Sequence, residues 1–164
     1  MILLSRVATS LKTFTATLLL AAACSQAPAH PPVGTPEAPA LPFETLVQRS
    51  LPGEGGPSRR EVFRDEAAWR KAWEELHEGS PLPAVDFEHQ MVILAAMETQ
   101  SCVSRVTIRS VTRTADALVV DLLEAPPAPN CVCITAERPI HVIRLERVDL
   151  PARFEVERGV TSCG

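Results

Sequence analysis

Seven consecutive apolar residues, Met91-Val92-Ile93-Leu94-Ala95-Ala96-Met97, constrain the fold more than any other feature of the sequence. Successive side chains of an extended chain point to opposite faces, so such a run needs cover on both sides. It predicts a central strand with structure packed above and below it. Around it lie further strand patterns. Arg105–Arg109 alternates polar and apolar, and Leu118–Leu123 follows after a short loop at Thr114-Ala115-Asp116, which suggests a hairpin. Ile140–Leu145 and Arg153–Glu157 supply two more strands, and Phe43–Arg49 and Arg60–Phe63 are weaker candidates.

One helix is signalled between these strands. Asp65 can cap an N-terminus and Glu66 suits the positive end of the helix dipole. Trp69, Ala72, Trp73 and Leu76 then share one face at helical spacing. His77, Gly79 and Pro81 provide stop signals. The tryptophans read as anchors of that helix on a sheet. Tyrosine is absent, so aliphatic residues must build most of the core. Together these patterns predict an α+β domain: a mostly antiparallel sheet of about five to seven strands, as a sandwich or partial barrel, with one helix packed on it.

The first 42 residues do not join this domain in the sequence reading. Arg6 and Lys12 precede a short apolar stretch that ends in Leu20-Ala21-Ala22-Ala23-Cys24, the layout of a secretory signal covering residues 1–23. Leu20–Cys24 resembles the lipobox of bacterial lipoproteins, with Ala21 where that box prefers leucine nearer the cysteine. The resemblance implies cleavage before Cys24, acylation of its thiol and, with Ser25 next, sorting to the outer membrane of a Gram-negative envelope. Residues 24–42 carry Pro28, Pro31, Pro32, Pro36, Pro39 and Pro42. They read as an extended tether reaching up to roughly 55 Å. Residues 43–164, about 120 in all, make one ordinary domain. The formal net charge of -4, with arginines interspersed among acids, argues against a nucleic-acid partner.

Cys102, Cys131, Cys133 and Cys163 are left for the domain. An even number in an exported chain predicts disulfides. Cys131 with Cys133 is poor, because residues two apart in an extended chain do not meet disulfide geometry. Two crossed arrangements stay open: Cys131–Cys163 with Cys102–Cys133, or Cys133–Cys163 with Cys102–Cys131. The other use of these cysteines is metal or thiol chemistry, a zinc site built from Cys131, Cys133, His141 and either Cys102 or Cys163. The single residue between Cys131 and Cys133 and the oxidising compartment weigh against it, and no metal or cofactor is expected.

Catalytic motifs are missing: there is no Gly-x-Ser-x-Gly elbow, phosphate loop or His-Glu-x-x-His. His30 falls in the tether and His77 at the helix end. Asp86, Glu88 and His89 read as a turn before the central strand, although the two acids could in principle pair for acid–base work. His141 reads as a satisfied core histidine. A protein without enzymatic activity is the expectation.

The run Phe63-Arg64-Asp65-Glu66-Ala67-Ala68-Trp69, Trp73, Pro83-Ala84-Val85-Asp86-Phe87 and Met91-Val92-Ile93 resembles the C-terminal domain of the PrcB family of protease-complex subunits. Cys131 after a proline-rich loop and Pro139-Ile140-His141-Val142-Ile143 are similar too. The likeness runs from about Leu46 to the C-terminus and implies an accessory domain that binds a protein partner, such as an envelope protease. Where the family carries a Thr-Gly-Gly-Tyr-like loop, this chain has Met97-Glu98-Thr99-Gln100-Ser101-Cys102-Val103. A contact surface is therefore expected on the loop Glu98–Ser104 and its neighbour Pro126–Cys133, with Glu98, Thr99, Gln100, Ser101, Pro127 and Asn130 as contact residues.

Overall fold

The apolar run Met91–Met97 becomes the middle of three layers. The computed structural model describes residues 39–52, 56–76, 81–99, 104–132 and 135–163. In chain order these hold β1 Phe43–Pro52, β2 Arg59–Phe63, α1 Glu66–Leu76, β3 Gln90–Ala96, β4 Arg105–Arg113, β5 Leu118–Ala125, β6 Glu137–Glu146 and β7 Ala152–Arg158. One sheet runs β1-β6-β3-β2 and the other β4-β5-β7. The sheets face each other as a sandwich, and α1 covers the outer side of the four-stranded one.

β3 shows why both faces had to be apolar. Met91, Ile93 and Ala95 point between the sheets, with Ile143 and Leu145 of β6 and with Val106, Ile108, Val111, Leu118, Val120 and Leu122 of the second sheet. Val92, Leu94 and Ala96 point the other way, to Trp69, Ala72, Trp73 and Leu76 of the helix. The helix starts as its sequence implies: the Asp65 carboxylate accepts the Ala68 N–H at 2.8 Å. Trp69 is fully buried between Phe63 and Trp73, with ring centroids 5.5 and 5.3 Å away. Of the expected stop signals, His77 and Gly79 lie outside the described residues.

All strand pairs are antiparallel except β5–β7, which is parallel. β6 ends at the same pole of the sandwich at which β5 begins. The short link 147–151 then crosses to the other sheet, so β7 has to run alongside β5 in the same direction. Arginines fasten that link. Arg64 donates to the carbonyls of Val148 and Leu150 at 3.0 and 2.6 Å, and Arg147 to those of Arg64 and Phe87 at 2.9 and 2.8 Å.

One side of the sandwich is closed and the other open. On the closed side the edge of β4 is covered. Leu41 N–H donates to Val111 O at 2.7 Å, Arg113 N–H to Pro39 O at 3.3 Å, and the Gln48 amide to Val106 O at 3.3 Å. The last residues assigned to the tether, 39–41, thus lie along β4. On the other side Arg60 of β2 and the buried Glu124 of β5 form an ion pair across the layer at 2.5 Å, stabilising a carboxylate that would be costly alone.

Candidate functional site

The strand register brings the described ends of both expected contact loops to one pole. Ala96 lies opposite Ile140, and Arg105 opposite Ala125. The ends of β1, β3, β5 and β7 and the starts of β2, β4 and β6 therefore share that pole. Arg138 ties its backbone together, donating to Met97 O at 3.3 Å and Pro57 O at 2.6 Å. Its guanidinium lies so close to Gly56 that a Cβ there would meet it at 2.7 Å. Burial pushes the Arg138 guanidinium below its ordinary value.

The C-terminal segment is bound to this pole. Thr161 N–H donates to Pro126 O at 2.9 Å and Ala128 N–H to Thr161 O at 3.1 Å. Cys131 and Cys163 form a disulfide with Cα atoms 5.3 Å apart. One of the two crossed arrangements expected from the sequence included this bond. Cys102 and Cys133 lie outside the described residues, as does Cys24. With two of the four thiols joined, the zinc arrangement that needs Cys131 as a thiolate ligand is not formed. Beside the bond, Val132 is 95% exposed and Val160 66%, the most exposed large hydrophobic side chains among the described residues.

Of the expected contact residues, Glu98 and Asn130 are exposed and Thr99 and Pro127 half-buried. Pro127 bridges to Thr161, so its role is to hold the C-terminal segment. Gln100 and Ser101 lie outside the described residues. The pole also has a cleft of about 450 Å³ where β1 approaches β4. Arg49, Ser50, Ser104, Arg105 and Gln48 line it, over Val106, Pro139 and Ile140. Two guanidiniums and two hydroxyls suit it to polar, anionic groups.

His141 is 2% exposed and sits between the sheets. Ile108 N–H donates to its Nδ1 at 2.8 Å, and its Nε2 lies 3.0 Å from Thr45 Oγ1. An N–H facing Nδ1 places the imidazole proton on Nε2, which donates to the hydroxyl. Burial lowers its pKa to about 4. Both nitrogens are engaged, so the ring ties β6 to β1 and β4. Asp86, Glu88 and His89 form an exposed turn before β3. Asp86 accepts the Glu88 N–H at 3.1 Å and contacts His89 Nδ1 at 2.8 Å, which holds its carboxyl below the ordinary value. The Asp86 carboxylate therefore serves the turn.

Sequence reasoning included Val132 and Ser104 in its expected contact loops without singling them out, and it missed Val160 and the other cleft residues. An apolar residue between two cysteines was the available signal for Val132. Nothing local marks Arg49 and Arg105, which line one cleft only because β1 and β4 approach across the sandwich. No protein-family model matches the chain, and no curated protein and no solved structure matches it.

Proposed function

We propose that this chain is a lipid-anchored protein of the bacterial envelope whose domain is a non-enzymatic protein-binding or assembly module. The observation that carries the reading is the exposure of Val132 and Val160, which belong to the two segments that the Cys131–Cys163 bond joins. Solvent-exposed valines add nothing to the core, and a cross-linked loop loses less freedom when a partner binds. With the polar cleft at the same pole they offer apolar side chains and hydrogen-bonding groups, the composition of a recognition surface.

The chain's entry into the domain supports the same reading. Residues 39–41 join β4 near Thr112, at the β4–β5 hairpin end, whereas the disulfide lies at the other pole. The likeness to PrcB-type domains adds an envelope protease as the partner class, and the lipobox and Ser25 add the outer membrane as the location.

The test replaces Val132, and separately Asn130, with a photo-crosslinking residue in the full chain in its native host. A discrete protein adduct, weakened by Val160→Asp, is the expected result. An adduct that contains a protease subunit supports the accessory reading. A different partner overturns that part and leaves the module standing. No adduct from either position overturns the pole as a contact surface. Intact mass of the membrane fraction checks the anchor: an unacylated chain that still carries residues 1–23 would overturn it.

A further inference from the structure

The free edge of β7 carries a second, independent surface. β7 pairs only with β5 among the described residues. Leu118 N–H donates to Pro151 O at one end of that ladder and Gly159 N–H to Glu124 O at the other. The alternation of a parallel ladder then turns the odd residues from 151 to 159 toward β5. Ala152, Phe154, Val156 and Arg158 direct their N–H and C=O groups outward. By contrast, the edge of β4 is covered by residues 39–41, Gln48 and His141. An uncovered strand edge is a template for another strand.

We infer that β7 pairs antiparallel with β7 of a second copy about a two-fold axis at Phe154. Side-chain chemistry selects both the occupant and the register. With Phe154 opposite Phe154, Arg153 of each copy faces Glu155 of the other, and Ala152 faces Val156. Phe154 and Val156 are only half-buried in one copy and lie on the same face, so apolar meets apolar there. The outward residues are the ones placed to exchange hydrogen bonds, about six across the axis. The register shifted by one step of the axis sets Glu155 against Glu155 and draws Glu157 from Arg109, which it pairs with at the surface. In the chosen register Glu157 keeps Arg109, and the Arg153–Glu155 pair that each copy already holds at 3.0 Å joins its counterpart as four alternating charges across the axis. The sequence Ala152-Arg153-Phe154-Glu155-Val156 is thus complementary to itself when reversed, as a closed two-fold interface requires. The product is a continuous six-stranded sheet across two molecules.

Sedimentation of the full-length protein in density-matched detergent tests this, with its disulfide intact. The wild type is expected to be a dimer at micromolar concentration. Arg153→Glu or Glu155→Arg alone turns two attractive cross-strand pairs into repulsive ones and should weaken association roughly thirtyfold. The double variant Arg153→Glu with Glu155→Arg restores opposite charges in this register and should regain the dimer. Thermal unfolding of each variant monitors folding, and recovery in the double variant separates a lost interface from a lost fold. A wild-type monomer overturns the inference, and so does a dimer indifferent to the single reversals or one that the double variant fails to recover. Capture of a different protein at β7 by a monomeric chain would also overturn it.

Discussion

Acidification should loosen this domain through His141. Free imidazole titrates near 6.5, and in the folded protein burial moves the value to about 4. Between those limits the unfolded chain binds the proton and the folded chain does not, so stability falls as pH falls through this window. The full loss below pH 4 is about 3 kcal/mol, of which about 2 kcal/mol appears between pH 7 and pH 5. The surroundings offer no compensation: the ring meets the Thr45 hydroxyl and the Ile108 N–H, and its cross-strand partners are Gln48 and Ala95. A proton on Nδ1 would also face the Ile108 N–H, donor against donor. The assay is urea unfolding of the oxidised protein at pH 7, 6 and 5, beside His141→Gln. The variant is expected to be less stable at pH 7, but its deficit should shrink by about 2 kcal/mol at pH 5. A deficit that stays constant over this range would refute the buried neutral imidazole.

Three further outcomes follow from the packing. Replacing Cys131 and Cys163 together by serine opens a loop with a sequence separation of 32 and should cost about 4 kcal/mol in denaturant unfolding. Leu94→Ala, between the fully covered β3 and α1, should cost about 2–5 kcal/mol by the same measurement. Arg60→Met strands the Glu124 carboxylate, whose side chain is 7% exposed, and should cost about 3 kcal/mol; adding Glu124→Leu should recover most of it, as calorimetry can show.

The sequence by itself determined the layers. A seven-residue apolar run bounded by polar residues reads as a strand covered on both faces, and one apolar helical face supplies one of the covers. That reasoning located β3, α1, the β4–β5 hairpin and the turn at Asp86 from local periodicity and capping chemistry. Four cysteines in the domain, read with an expected export, implied disulfides, but not which of two pairings. Only the tertiary structure decided that Cys131 meets Cys163, because that depends on β7 running parallel to β5 and delivering the C-terminus to the loop after β5. The same crossing left β7 with an edge that no strand pairs with among the described residues. His141 was legible as a core residue, yet its partners on β1 and β4 are far apart in the chain. So are Arg49 and Arg105 of the cleft. Periodicity reports which face of an element is buried; what that face meets is set by how the sheets pack, and no local pattern encodes it.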